Sequence, residues 1–318
     1  MINIIGDTPK IPRIKTGLFS FDNAFKNAKG EYGFPVGTTT ELSGPTFCGK
    51  STLVFGLSGM MAREGKFNIA LADFEGFDPE FLIDVLSQSG FDGNINVIQK
   101  ESDEKTLDAL LEILGEKEYG VGILDSVGAI SPISEVNNDL GAANMGRRAL
   151  LMSQFARKAT HLLRFSSKSL FLVNHVHPNL GSMGTSTPGG ETLKYLSAVR
   201  IRMKKKEEFP DQSYAIEGKV TKNRFGYKDR IFYVVMLSGV GIHIGLTAMY
   251  DCFVLGLAER GKVVKIDGKS FGYMKDIFKE AHNGNNAILE PFIELINGNP
   301  TIINNQEPED DTTSEVED

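Results

Sequence analysis

From residue 38 onward, short apolar runs alternate with longer stretches of helical period. The apolar runs at 68–72, 120–124 and 170–173 predict strands, and 38–42 and 94–98 are further strand candidates. Between them, 51–64, 79–89, 103–117 and 145–165 predict helices, and in 103–117 Leu107, Leu110, Leu111 and Leu114 share one face. Pro79 opens its helix in the first turn, where a missing N–H costs nothing. Apolar strands joined through helices imply a parallel sheet covered on both faces. Beyond residue 197 the pattern changes. The segments 198–203, 214–221 and 231–237 read as strands with no long helix between them, an antiparallel extension of the same sheet. From 247 to 297 the pattern is helical, with a hairpin of 263–266 and 269–271 turned by Asp267-Gly268. The expected fold is α/β, a mainly parallel central sheet flanked by helices with an antiparallel extension, plus a small C-terminal α+β domain. The expected boundaries are an extended arm at 1–16 containing Pro9 and Pro12, a core at 17–246, a small domain at 247–300 and a disordered tail at 301–318.

Charge changes this picture in one respect. The chain has 318 residues and a formal net charge of −7, but seven acids and no base lie in its last twelve residues. Without that tail the chain is formally neutral, so its acidity does not argue against a nucleic-acid partner. A mobile acidic strip competes with DNA for basic surface, and the plainer alternative is a tail that serves solubility. Two cysteines, Cys48 and Cys252, exclude a disulfide framework or a Cys-rich zinc site and point to a reducing compartment. No run of 18 apolar residues exists, so no membrane partner is expected. The first sixteen residues lack the basic start and apolar stretch of a signal peptide.

The strongest chemical signal is Gly44-Pro45-Thr46-Phe47-Cys48-Gly49-Lys50-Ser51, followed by Thr52, which matches G-x-x-x-x-G-K-[ST] between a strand and a helix. Its glycines let backbone N–H groups surround a β-phosphate, and the helix N-terminus adds positive potential. Lys50 would reach the β- and γ-phosphates of ATP, and Ser51 would bind Mg²⁺. Cys48 reads best as filling an unconstrained loop position, although the helix N-terminus could lower its thiol pKa. Two further strand ends carry acids. Asp125, after 121–124, would hold the metal beside Ser51, and Glu75, after 70–73, would orient and deprotonate a water. A lone acid at a strand end is more often a cap; convergence with the phosphate loop favours chemistry. Three loops, 44–49, 135–144 and 178–190, are rich in Gly, Asn, Ser and Thr, and the last two are long for a compact core. Lys204-Lys205-Lys206 reads best as a solvated strand edge.

In order along the chain stand the phosphate loop, Asp73-x-Glu75, Leu124-Asp125-Ser126-Val127, Met145-Gly146, Ser153-Gln154 and Arg157-Lys158. Pro188-Gly189-Gly190, Leu193-Lys194-Tyr195, Val199-Arg200, Val220-Thr221-Lys222-Asn223-Arg224 and Gly239-x-Gly241-Ile242 follow. This order, from about residue 16 to about 295, resembles the RecA-type recombinases. The resemblance implies a RecA-like ATPase core and a DNA-dependent ATPase that forms a helical filament on single-stranded DNA and exchanges strands with a homologous duplex. It implies Glu75 as catalytic base and Asp125 as the Walker B aspartate. Asp78 and Phe81 match positions that hold and stack on adenine. Lys222 and Arg224 match the lysine pair that reaches ATP bound on a neighbouring subunit. Met145 and an apolar residue near Leu180 or Met183 resemble wedges between base triplets. Arg157, Gly189 and Gly190 match phosphate-backbone contacts. The arm at 1–16 would contact a neighbour, and single-strand-binding and mediator proteins are further candidate partners.

The departures are specific. His175 stands where bacterial RecA has the Gln that senses the γ-phosphate; some phage recombinases, including the T4-type, carry His there. A basic residue before Met-Ser-Gln is replaced by Leu150, with Arg147 and Arg148 one turn earlier as substitutes. The second DNA loop is shorter, and the N-terminal helix of bacterial RecA is absent. These features resemble a phage-encoded, T4-type strand-exchange protein, at work in the bacterial cytoplasm of an infected host. Two alternatives share the nucleotide site: an accessory recombinase paralogue and a RecA-fold ring helicase.

Overall fold

In the computed structural model, the residues described are 11–136, 146–164, 166–178 and 185–299. The acidic tail, Met145, Leu180, Met183 and most of the two long loops lie outside them. Nine strands form the central sheet: β1 (Thr39–Gly44), β2 (Asn68–Asp73), β3 (Ile95–Ile98), β4 (Tyr119–Asp125), β5 (Ser169–His175), β6 (Val199–Glu208), β7 (Tyr214–Asn223), β8 (Arg230–Leu237) and β9 (Gly241–Ile242). Their order is β9-β8-β7-β6-β1-β5-β4-β2-β3. The run from β6 to β3 is parallel, and β7, β8 and β9 extend it antiparallel.

The period-2 alternation of the strands divides the core. Ile69, Leu71, Ile123, Phe171 and Val173 face helices α2 (Lys50–Gly65) and α3 (Pro79–Gln88). Ala70, Ala72, Leu124, Leu170 and Leu172 face α4 (Asp103–Gly115) and α5 (Arg147–Leu163). Helix α4 starts where the sequence has a capping signal: Ser102 accepts from the Lys105 N–H at 3.3 Å, and Asp103 and Glu104 follow in the first turn. Helix α5 begins at Arg147, two residues later than expected, with Gly146 at φ 88° preceding it. That left-handed backbone falls to glycine without steric cost.

One element left no pattern in the sequence. Helix α1 (Phe19–Ala24) has only six residues, too few for a 3.6-residue period to be read. It is held by an aromatic cluster in which Phe21 meets Phe25, Phe34 and Phe232 at centroid distances of 4.9, 5.6 and 4.8 Å. Just before it, Arg13–Ile14 pairs antiparallel with Phe34–Pro35.

The C-terminal elements share a third apolar cluster with the antiparallel strands. Val235 and Leu237 of β8 pack with Leu246, Met249, Phe292 and Ile296. These last come from α6 (Ile244–Val254) and α7 (Glu290–Asn297), and the hairpin of Val263–Ile266 with Lys269–Tyr273 closes the group. No helix among the described residues is long and apolar enough to cross a membrane.

Asp251 is an exception in this apolar setting. It is fully buried on α6, one carboxylate oxygen accepts the Ser20 N–H at 3.1 Å, and the other has no partner among the described residues. Burial pushes its carboxyl up to about 7, against the hydrogen bonds from Ser20. A carboxyl raised in the folded state contributes stability that is fully present below its unfolded pKa and is lost as pH rises through about 7. Asp251→Asn keeps an acceptor for Ser20 and removes the titration. Its stability relative to the parent chain should grow by about 2–3 kcal/mol between pH 5 and pH 8 in urea unfolding; a pH-independent difference would contradict the assignment.

Candidate functional site

The parallel register delivers four strand ends to one edge. Gly44 at the end of β1 lies opposite His175 at the end of β5, and Asp73 of β2 lies opposite Asp125 of β4. In open α/β sheets this carboxyl edge is where ligands bind.

The phosphate loop is shaped by what cannot be added to it. A Cβ on Gly44 would sit 2.5 Å from the Met203 carbonyl oxygen and 2.8 Å from Cys48 Sγ. Gly49 has φ 81°, and a Cβ there would meet the Tyr214 hydroxyl at 3.0 Å. Pro45, Thr46 and Phe47 form the exposed crest, with Phe47 left-handed at φ 59°. Lys50 is buried beneath it and donates to the Pro45 carbonyl at 2.8 Å. Ser51 and Thr52 open α2; Thr52 hydrogen-bonds the Tyr214 hydroxyl. Cys48 corrects the expectation of a lowered thiol pKa. Burial pushes it up, and neither the Lys50 charge nor the loop amides overcome that. The side chain is packing under the loop.

Asp125 is buried, with one oxygen unpartnered among the described residues and a hydrogen bond with Ser51. Burial raises its carboxyl to about 6, opposed by the Ser51 hydrogen bond and assisted by the charges of Glu75 and Asp73. A buried oxygen without a partner, beside a hydroxyl, fits a hard cation that takes few protein ligands and completes its shell with water and phosphate, as Mg²⁺ does. Among the described residues no three His, Cys, Asp or Glu form a protein-only metal cage.

Glu75 stands at the mouth of the site. Its Oε1 accepts from the Ser126 hydroxyl and lies 2.8 Å from His175 Nε2. Burial pushes its carboxyl up, but hydrogen bonds from Ser126 and His175, with the charges of His175 and Lys50, bring it below its ordinary value. The carboxylate is therefore ionised at neutral pH and able to accept a proton. Asp73 steadies the turn behind it, accepting the Glu75 and Gly76 N–H groups at 3.2 and 2.9 Å and the Gln99 amide at 3.1 Å.

The remaining residues divide. Asp78 is exposed and caps α3, accepting the Glu80 N–H at 3.0 Å; Phe81 is half-buried against the core one turn later. Lys222 and Arg224 are not at this site. Lys222 pairs with Arg200, which pairs with Glu41, three residues before Gly44. Lys222 Nζ donates to the carbonyls of Lys194 and Tyr195 at 2.8 Å each, and Arg224 Nη2 to that of Tyr195 at 2.5 Å. Arg147 donates to the Ser134 carbonyl and Arg148 lies 3.9 Å from Glu135 across the first long loop. Arg157 is exposed and donates to Ser153 Oγ at 3.0 Å. Gly189 and Gly190 both have positive φ, and a Cβ on Gly190 would lie 2.9 Å from that of Ala149. Lys204 and Lys206 both pair with Glu217, and Lys205 with Glu208, which bears out the solvated-edge reading.

Three residues were given no role by the sequence patterns. Glu41 is buried in the middle of β1, where Asn174 Nδ2 donates to it at 2.9 Å and Arg200 Nε at 2.5 Å. The same Asn174 amide donates to the Pro188 carbonyl at 2.9 Å, tying the end of β5 to the end of the second long loop. A charged residue inside a strand of otherwise uncharged residues was the available signal.

A model of the RecA N-terminal domain family matches residues 4–243. Protein RecA of Chlorobium chlorochromatii is 31% identical over 271 positions, covering 83% of this chain and 73% of that protein. Protein RecA of Chlorobaculum parvum is 29% identical over 320 positions, covering 93% and 88%. A crystal structure of the RadB recombinase aligns with a TM-score of 0.49 at 19% identity, covering 66% of this chain and 92% of that one.

Glu41→Ala would leave the Arg200 guanidinium and the buried Asn174 amide without their shared acceptor. Urea unfolding should show a loss of about 3 kcal/mol; a loss below about 0.5 kcal/mol, the range of ordinary surface changes, would show that the buried pair contributes little.

Proposed function

This chain belongs to the RecA family, and on that premise we propose that it is a DNA-dependent ATPase that assembles head-to-tail on single-stranded DNA and exchanges strands with a homologous duplex. The observation that carries the proposal is the separation of two groups of catalytic residues within one chain. Lys50, Glu75, Asp125 and His175 converge on the carboxyl edge of the sheet. Lys222 and Arg224 lie two strands from the phosphate-loop strand, about 10 Å sideways, and about 10 and 16 Å back along the strand direction. Their donors are turned to carbonyls at 194 and 195. Cations so placed suit the phosphates of ATP on a second copy, and a contact of that kind that does not close on itself generates a helix.

In this reading the loop amides and Lys50 bind the triphosphate, and Asp78 and Phe81 flank the adenine. Ser51 and Asp125 would hold a Mg²⁺ ion, which neutralises charge on the phosphate oxygens. Glu75 takes the proton of the attacking water. Before ATP arrives, Ser126 and His175 occupy its oxygen. An imidazole that turns to donate to a γ-phosphate oxygen releases Glu75 for the water, so sensing and activation are one motion. His175 directly follows Asn174, whose amide holds Pro188. The state of the phosphate is thus communicated to the second DNA loop. Met145, Leu180 or Met183 would separate bases, and Arg147, Arg148, Arg157 and the amides at Gly189 and Gly190 would hold DNA phosphates. The His at 175 supports a phage-encoded, T4-type member acting in the cytoplasm of its bacterial host.

Electron microscopy with single-stranded DNA and a non-hydrolysable ATP analogue should show helical filaments; rings or isolated particles would overturn the assembly. His175→Ala should reduce DNA-stimulated hydrolysis by about 10- to 100-fold, the scale of a misplaced catalytic group, with ATP binding retained. Unchanged stimulation would sink the role given to His175.

A further inference from the structure

Arg13, at the root of the arm, is the first charged side chain of the described residues, and its guanidinium holds three backbone carbonyls at once. Nη1 donates to Phe25 at 2.5 Å and to Gly33 at 2.9 Å, and Nη2 donates to Phe225 at 2.7 Å. Each carbonyl belongs to a different segment. Phe25 closes α1, Gly33 precedes the Phe34–Pro35 strand, and Phe225 directly follows Arg224. The planar fork of an arginine can serve three acceptors in fixed directions, whereas the compact ammonium of a lysine cannot span them.

The segment held in this way is short and closely packed. The Arg224 N–H donates to the Ala198 carbonyl at 3.1 Å, and Asn223 Oδ1 accepts the Phe225 N–H at 2.9 Å. A Cβ on Gly226 would lie 2.7 Å from the Lys26 carbonyl oxygen, so the turn rests directly on the chain that leaves α1. Ile11 and Pro12 line the same cleft, of about 560 Å³, as Arg224 and Phe225. The root of the arm and the strand end and turn that bear Lys222 and Arg224 are thus one packed unit, and Arg13 is the side chain that joins them.

We propose that Arg13 is a positioning residue for hydrolysis: it fixes the end of β7 and the turn that follows it to the root of the arm and so sets where Lys222 and Arg224 present their charge to a neighbouring copy. This rests on the reading above that the two cations complete a neighbour's nucleotide site. Removing the fork leaves the cations in place chemically but lets their turn drift. The loss falls on turnover, while ATP still binds to the loop, Lys50 and Ser51 of its own chain.

The test is a double-mutant cycle in the full chain, with Arg13→Gln, Lys222→Ala and the two combined. The readouts are kcat and KM of hydrolysis with single-stranded DNA, binding of a fluorescent ATP analogue without DNA, and thermal unfolding. Arg13→Gln should lower kcat by about 10- to 100-fold, with KM and analogue binding within about twofold. Arg13→Lys, which keeps the charge, should not restore turnover. The combined variant should be slower than Lys222→Ala alone by clearly less than the loss that Arg13→Gln causes by itself, because part of that loss acts through Lys222. If the two losses multiply, or if Arg13→Gln turns over normally, the proposal is overturned. If Lys222→Ala alone hydrolyses normally, the trans-cation reading fails and takes this proposal with it, a result visible before Arg13 is touched. Should Arg13→Gln fail to fold, the same cycle with Arg13→Lys decides between these outcomes.

Discussion

Everything at the carboxyl edge depends on parallel register. Each of β1, β5, β4 and β2 ends in a residue with chemistry, and hydrogen bonding sets those ends level: Gly44 opposite His175, and Asp73 opposite Asp125. A slip of one residue in any strand would turn its terminal side chain to the other face of the sheet. Register is in turn fixed by two apolar faces that both must be buried. The Phe171 and Val173 set faces α2, and the Leu170 and Leu172 set faces α5. The packing of ordinary aliphatic residues is therefore what brings the Glu75 carboxylate within 2.8 Å of an imidazole from a strand 100 residues away.

Electrostatics then differentiates carboxylates that share one small space. Asp125 is shut away from water and raised, and Glu75 is half-open, hydrogen-bonded and lowered. Two acids so close are driven to different protonation tendencies by environment alone. The buried one keeps an oxygen in reserve beside Ser51.

Much of this was legible in the sequence. The phosphate loop and the two acids at strand ends are short-range patterns, each contained within about ten residues of chain, and the strand and helix runs around them obey simple periodicities. The buried link of Glu41, Asn174 and Arg200 was not legible, because its members are separated by 133 and 159 residues and none belongs to a recognisable spacing. Helix α1 was missed for a different reason. Its stability comes from Phe34 and Phe232, which meet it only in three dimensions. The pKa of Cys48 was misjudged because a helix N-terminus was weighed and burial was not.

The carbonyls at Lys194 and Tyr195 have a consequence for timing. In a lone copy, Lys222 and Arg224 already spend their donors there. A phosphate that recruits them must displace hydrogen bonds from charged donors, each of the order of 1.5–3 kcal/mol. Under the proposed assembly, that occupancy acts as a threshold. Weak or passing encounters between copies leave the cations where they are, and only a fully seated interface with nucleotide in place draws them across. On that proposal, an idle pool of free subunits would be kept from consuming ATP with no separate inhibitor required.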